Sequence, residues 1–403
     1  MRHIEIQNGR ACCGCAACAD ACPRGCITMQ EDRHGILYPF VQQDQCVDCG
    51  KCVSVCPVLH AEERKHSGAD DLAYAFAARN EETVFRSSSG GAFSALADAW
   101  FALHGADARI VGAAFDGTHV RHRLTATREE SASLRKSKYV QSDGRGVYRA
   151  VQDALASGKY VMFTGTPCMV AALRGYIGGD HPHLLTIDLV CHGVVSDSEL
   201  QAYLREFGEA QGSTVKEISF RVKRDFDTDH VNPRTMDIRM ENGETVNLDM
   251  QTSAYLYAFY TSLCYRPSCT ACRFACPQRP GDITLGDYWG IEKRFHKWNS
   301  LQGVSLVRAN TDKGMAAVSA LTPAGLLQET SYAFACAENA QLRHPAVPHR
   351  NYEKFFRLRQ RGVSFEETVR ICKKPDTLLQ KVYRRLKTMA KRAKPNEEIR
   401  RAI

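Results

Sequence analysis

One string occurs twice near the start of this chain and limits its fold more than any other feature: C-x2-C-x2-C-x3-C-P. The first copy is Cys12, Cys15, Cys18, Cys22 and Pro23; the second is Cys46, Cys49, Cys52, Cys56 and Pro57. Three thiolates two residues apart wrap a short loop around one corner of a cubane iron–sulfur cluster. The fourth Cys lies too far along to close the same cage and ligates the other cluster, so two such runs brace each other. The pattern assigns Cys12, Cys15, Cys18 and Cys56 to one 4Fe-4S cluster. It assigns Cys46, Cys49, Cys52 and Cys22 to a second. The proline after each fourth Cys ends the local helix and turns the chain away. Zinc sites favour paired C-x2-C knuckles over a run of four with a trailing Pro. Cys13 and Cys26 fall outside the pattern and read as spare thiols.

Residues 1–60 therefore read as an α+β two-cluster ferredoxin-like module, with 34 residues between equivalent cysteines. Of the 18 cysteines, ten precede residue 57 and eight of those sit in the two runs, which suits a reducing compartment better than a disulfide framework. The opening MRHIEIQNGRACC has no apolar core of the kind a secretory leader needs, and no run of 18 apolar residues occurs. The expectation is a cytoplasmic protein. The net charge of +8 has one address: residues 373–403 hold eleven Lys or Arg against three acids, and the remaining 42 bases and 42 acids cancel. Residues 376–403 read as a basic amphipathic tail, either a solvated terminal helix or a peripheral contact with the inner membrane face or an acidic partner. A short basic tail alone does not make a nucleic-acid binder.

Residues 61–71, AEERKHSGADD, are polar and read as a linker. From Leu72 to about residue 375, short apolar runs alternate with amphipathic segments. Strands are expected at Leu72–Ala78, Ile110–Phe115, Tyr160–Thr164, Leu184–Val190, Ile218–Val222, Thr235–Met240 and Val304–Val307. Helices are expected at Gly91–Leu103, Gly146–Ala156, Cys168–Tyr176, Asp197–Phe207, Thr252–Leu263 and Asp312–Ala320. This texture predicts an α/β domain with a mixed or mostly parallel sheet.

Several motifs in that domain carry chemistry. Ser87-Ser88-Ser89-Gly90-Gly91 opens a helix, where free amides suit a phosphate, although a Ser/Gly turn also caps helices for its own sake. Ser137-Lys138-Tyr139-Val140-Gln141 offers a cation, an aromatic ring and polar groups in one stretch, the pattern also of a half-exposed strand. Gly165-Thr166-Pro167-Cys168 and Cys191-His192-Gly193 each follow an apolar strand, so two cysteines stand at carboxyl ends of predicted strands. Buried as small hydrophobes they would be unremarked; in matching positions they suggest a ligand or redox role. Cys264, Cys269, Cys272 and Cys276 place four thiols in thirteen residues around a C-x2-C core. They hold a cluster or a zinc as a unit, or Cys269 and Cys272 combine with Cys168 and Cys191. His192 is the candidate general acid, with a core or capping role as the plainer alternative.

Taken together, SSSGGAFSALA, SKYVQS, GTPCMVAAL, DLVCHGVVS, FRVK, RPSCTAC and DITLGDYWG resemble the coenzyme F-420 hydrogenase/dehydrogenase beta-subunit family, over about residues 72–310. The resemblance implies a flavoprotein that holds FAD and iron–sulfur clusters and exchanges electrons with a two-electron acceptor. By motif position it makes Ser87, Ser88, Ser89, Gly90, Gly91, Ser137, Lys138, Tyr139, Gln141, Gly165, Thr166 and Pro167 flavin contacts. Cys269 and Cys272 fall at the family's cluster-associated C-x2-C, while Cys264 and Cys276 look like additions to it. Many bacterial members of this family stand among surface-polysaccharide genes.

The expectation is then an iron–sulfur flavoprotein oxidoreductase with two 4Fe-4S clusters, FAD and a third 4Fe-4S cluster or a zinc. It passes electrons between a donor or acceptor protein and a small organic acceptor. The alternative is a non-catalytic subunit that relays electrons to a partner enzyme, tied to surface-polysaccharide synthesis.

Overall fold

The computed structural model describes residue 4 and residues 11–66, 71–223 and 233–373. The basic tail lies outside these residues. In the first sixty residues, β1 (Ile27–Glu31) and β2 (Leu37–Val41) form an antiparallel hairpin between the two cysteine runs. Each run closes on one short helical turn, Ala17–Asp20 and Lys51–Ser54. These turns are too short to stand alone. They pack on Ile4, Ile27 and one another through a small cluster that is itself largely cysteine.

The second domain is built on an eight-stranded sheet. Its strands are β3 (Leu72–Ala78), β4 (Ala108–Asp116), β5 (His119–Thr125), β6 (Tyr160–Gly165), β7 (Leu184–Leu189), β11 (Ile283–Asp287), β12 (Ser305–Ala309) and β13 (Gly325–Ser331). The order is β13-β3-β12-β11-β7-β6-β4-β5. The central four, β4, β6, β7 and β11, are parallel. The flanking pairs are antiparallel. The sheet is thus mixed, with a parallel heart. A separate antiparallel sheet joins β8 (Val215–Phe220), β9 (Thr235–Met240) and β10 (Thr245–Asp249).

Period-2 burial sorts the side chains of β6 onto two faces. Met162 meets Phe76, Leu96 and Ile187 under the helix Ala92–His104. Val161 and Phe163 meet Tyr148, Val151 and Val170 from the helices Val147–Ala156 and Pro167–Ile177. Ala17 and Val55 of the ferredoxin module belong to this second cluster. Its core is therefore continuous with that of the α/β domain. Residues 61–66, read as linker, are pinned: Ala61 is buried against Ala171 and Phe274, and the His66 amide donates to the Arg279 carbonyl at 2.9 Å.

Strand β11 carries the start of the DITLGDYWG string, which reads as a motif and not as a strand. Both of its faces are covered, so it lacks the alternation that reveals a strand. Among the described residues, no helix is long and apolar enough to cross a membrane.

Candidate metal and cofactor site

Strands β6 and β7 are parallel neighbours, so their carboxyl ends open at the same edge of the sheet. Thr166 and Pro167 start the helix after β6 and put Cys168 in its first turn. Cys191 follows β7 by two residues. Cys269 and Cys272 come from a short 3-10 turn, Pro267–Ala271, whose preceding backbone is tied across to this edge by the Arg266 amide donating to Val194 O at 2.8 Å. Four thiols from three segments are thereby gathered. Each of the six pairs among Cys168, Cys191, Cys269 and Cys272 is close enough to interact electrostatically.

These thiols are poor acids on their own. Burial, then the neighbouring sulfurs, pushes Cys191 well up. Burial pushes Cys269 up to about 12 and raises Cys272. Contact with the Cys13 thiol, then burial, raises Cys168. Four buried thiolates need a cationic centre, and a bound metal reverses this balance. Among the described residues no three cysteine sulfurs lie within 4.8 Å of one another. A zinc tetrathiolate with bonds of about 2.3 Å has edges of roughly 3.8 Å.

Cys264 and Cys276 stand apart from this set. Cys264 is buried in the apolar core with Tyr255 and Phe259, and its nearest charged groups are Glu199 and Arg359. Residue 264 ends an apolar helix-and-turn segment and points into the core. The Cys276 Sγ lies 3.1 Å from Gln278 O and 3.7 Å from Lys65 Nζ, in the loop that follows Cys272. That loop is locked by a buried ion pair: Arg279 Nη2 bonds Asp188 Oδ1 at 2.6 Å, with both side chains at most 1% exposed. Arg279 also donates to Phe274 O and Leu189 O. Asp282 accepts from Thr186 N and Oγ1.

In the ferredoxin module, Cys56 of the second run lies in electrostatic contact with Cys12, Cys15 and Cys18. Cys52 neighbours Cys49. Cys22 faces Cys26 at 3.3 Å, and Cys46 also reaches Cys26. Cys26, a spare thiol by spacing, thus stands inside the second ligand set. Cys13, the other spare, contacts both Cys15 and Cys168.

A cavity of about 1790 Å³ is lined by Cys13 and Cys15, by the four gathered thiols, by Ser137–Gln141 and by Gly165–Pro167. A smaller one of about 210 Å³ is lined by Ser87, Ser88, Ser89 and Gly91. Both share Ser137, Thr164, His192, Arg221 and Trp289. Two buried polar atoms on the shared wall have no partner: Thr164 Oγ1 and Arg221 Nε. Arg221 pairs with Asp287, lies over the Trp289 ring at 5.5 Å and has φ +56; Lys136, which lines the same two cavities, has φ +68. Left-handed backbone at two non-glycine cavity residues is the kind of strain that gathers at ligand sites. An unpartnered hydroxyl, an unpartnered guanidinium nitrogen and an indole face fit an anionic, aromatic cofactor such as a flavin dinucleotide.

Not every residue expected to touch that cofactor faces it. Gly90 does not line either cavity; a Cβ there would meet Phe76 O at 2.2 Å and Ser305 N at 2.7 Å. Its glycine is needed for backbone packing on β3 and β12. The loop's hydroxyls are engaged: Ser87 with Thr83 O, Ser89 with Val304 O, and Ser88 as acceptor from Ser137 N. Lys138 Nζ donates to three carbonyls, of Ser133, Leu134 and Arg135. Burial, then Lys136, lowers its pKa to about 7. Tyr139 stacks on Phe259 and bonds Tyr260. Both ends of the Gln141 amide are used, on Cys13 O and Gly14 O and on Arg266.

His192 opens onto the cavity. Lost solvation lowers its pKa, with Asp287 opposing and Arg221 and Arg234 reinforcing. It therefore meets the cavity neutral, which works against an imidazolium acid at neutral pH. His122 bonds Ser142 Oγ and Thr164 O, and burial drives its pKa to about 4. Sequence reasoning missed Arg221, Lys136, Thr164 and His122. FRVK gave the one available signal, since Lys223 also donates to Val84 O and Ser89 O and so holds the serine loop.

The fold and its thiol sets define a cysteine-rich, ferredoxin-type module fused to an α/β domain. Residues 11–59 match the 4Fe-4S dicluster domain. Residues 158–333 match the family described as the C terminus of the coenzyme F420 hydrogenase/dehydrogenase beta subunit. The ferredoxin 7Fe of Hydrogenibacillus schlegelii is 42% identical over 43 residues, 11% of this chain and 49% of that protein. The ferredoxin-type protein NapF of Haemophilus influenzae is 41% identical over 44 residues, 11% of this chain and 25% of that protein. The chain thus spans half or less of these two curated relatives. One chain of the F420-reducing [NiFe] hydrogenase complex from Methanosarcina barkeri aligns over 76% of this chain and 92% of its own length, at 15% identity and a TM-score of 0.41.

Proposed function

We propose that this chain is an iron–sulfur flavoprotein oxidoreductase that moves electrons between a partner protein at its ferredoxin module and an organic two-electron acceptor in the α/β cavity. One observation carries the reading: the four gathered thiols and the first ferredoxin loop line the same large cavity as Ser137 and Thr164. Cys12, Cys15, Cys18 and Cys56 would hold one 4Fe-4S cluster, and Cys22, Cys46, Cys49 and Cys52 a second. Cys168, Cys191, Cys269 and Cys272 would hold a third. Ser88, Ser137, Thr164, Lys136 and Arg221 would hold FAD. A flavin pairs the single electrons that clusters carry and passes on a hydride equivalent. The protein's residues bind, orient and exclude water; neutral His192 offers one hydrogen bond at the wall.

The two ferredoxin sites differ in access. Cys49 is exposed, as are Phe40, Val47 and Leu59 of the same module. The set of Cys12, Cys15, Cys18 and Cys56 faces the α/β domain, since Cys15 packs in the shared core. The partner protein would meet the exposed site.

Anaerobic purification with iron, sulfide and flavin analysis tests this. Three cubanes give about twelve irons per chain, with one flavin. Stoichiometric zinc in place of a third cluster, or no flavin after reconstitution, overturns it. Turnover of a small acceptor by the isolated chain separates an enzyme from a relay protein.

A further inference from the structure

Arg266 lies immediately before the turn that carries Cys269 and Cys272, and is 1% exposed. Its guanidinium reaches into the ferredoxin module. Nε donates to Cys12 O at 2.7 Å, Nη2 to Leu37 O at 2.7 Å, and Nη1 to Gln141 Oε1 at 3.1 Å. Gln141 Nε2 completes the grip on Cys13 O and Gly14 O, at 3.3 and 3.1 Å. Tyr148 Oη donates to Cys15 O at 2.9 Å. Four successive carbonyls of the first cluster loop, residues 12–15, are thus held by three side chains of the α/β domain. The Tyr38 ring covers the guanidinium at 4.7 Å. Gly14 shows how closely the parts fit. It has φ +67, and a Cβ there would lie 2.4 Å from Gln141 Nε2 and 2.6 Å from Arg266 Nη1.

The charge of Arg266 is the second observation. Among the described residues its hydrogen-bond partners are all neutral. A buried cation without a carboxylate is costly unless other negative charge stands near. Its field reaches Cys168 and Cys269, while its Nε bonds the backbone of Cys12. A cubane carrying four thiolates is anionic, so Arg266 stands between two sites that become negative when filled.

We propose that Arg266, with Gln141 and Tyr148, is the positioning element that sets the cluster of Cys12, Cys15, Cys18 and Cys56 against the third cysteine set, making it the internal hand-off point between the domains. This rests on the cluster assignments above. The guanidinium fixes the gap by its hydrogen bonds and favours the reduced state of both clusters by its charge, two of the protein's levers on cluster potential.

The test uses the full chain, purified and reconstituted without oxygen, as Arg266→Met, Arg266→Lys, Gln141→Leu and wild type. Hydrogen exchange of the amides of residues 11–18 should quicken about tenfold in all three variants, the loss of one or two hydrogen bonds to the loop's carbonyls. Spin coupling between the two reduced clusters should weaken or vanish. Both cluster potentials should fall in Arg266→Met and return toward wild type in Arg266→Lys, which restores the charge but not the fork. Wild-type exchange in Arg266→Lys and Gln141→Leu, with unchanged coupling, overturns the proposal even if Arg266→Met fails to fold. A wild-type protein lacking the third centre sinks the cluster assignment instead, and with it the hand-off.

Discussion

In the ferredoxin module, every proposed ligand comes from two runs of eleven residues, 12–22 and 46–56. In the α/β domain, the four gathered thiols come from positions 168, 191, 269 and 272, on two strand ends and one turn. The first arrangement needs only short loops and one hairpin to be nearly complete. The second exists only when β6 lies beside β7, when Arg279 has closed on Asp188, and when Arg266 has drawn its turn across the sheet edge. Local ligand sets tolerate damage elsewhere in the fold. Assembled sets report it.

That contrast can be broken most sharply at the ligands themselves. Cys191→Ser should lower the iron content from about twelve to about eight per chain, one cubane's worth, and leave the ferredoxin-type signal. Cys22→Ser should remove about four irons from the other side of the comparison. Cys264→Ala and Cys276→Ser should leave the iron content unchanged. Iron loss from Cys264→Ala equal to that from Cys191→Ser would mean the wrong four thiols have been chosen.

Arg279→Met sharpens the same contrast without touching a ligand. It leaves Asp188 buried without its partner, at a cost of about 3–5 kcal/mol. Anaerobic denaturant unfolding should show that loss, and the third cluster should go before the other two. Equal loss of all three clusters would mean that the sites do not differ in their dependence on the fold.

Gly90→Val asks whether the serine loop is a cofactor contact or a packing joint. Its side chain would collide with Phe76 O and Ser305 N, an overpacking cost of roughly 1–3 kcal/mol. The expected outcome is lower stability of the α/β domain. Selective flavin loss at wild-type stability would restore the cofactor role.

The smallest effect concerns pH. His122 has a folded-state pKa of about 4, below the unfolded value near 6.5, because burial disfavours its charged form. Between those values the unfolded chain binds the proton and the native one does not, so stability falls as pH drops. Between pH 6.5 and pH 5 the loss from this group is about 1.5 kcal/mol. Denaturant titrations of wild type and His122→Gln should converge by that amount as pH falls. Parallel curves would place the proton elsewhere.

Much of the local structure is legible in the sequence. Strands Leu72–Ala78 and Thr235–Met240 have the bounds their patterns predict, and the helix after Gly91 differs by one residue at each end. These segments carry their own period and punctuation. Strand β11 does not, because it is covered on both faces. The twin positions of Cys168 and Cys191 are visible as strand-end cysteines, but whether Cys264 or Cys269 joins them is not: both lie in one short apolar-to-cysteine stretch, and only the backbone path turns one inward and the other to the sheet edge. The grip of Gln141 on the ferredoxin loop is hidden for the same reason. A polar residue in a cavity-lining stretch looks alike whether it faces a cofactor or a neighbouring module.

The sequence by itself determined the iron–sulfur chemistry, since thiolate spacing within a loop is a local constraint that any fold must respect. It also determined the α/β texture, through periodicity. Tertiary structure decided which distant thiols meet, which ferredoxin site faces inward, and that an arginine from one domain holds the backbone of the other. Such choices depend on strand order and domain seating, which rest on many weak contacts between residues far apart in the chain.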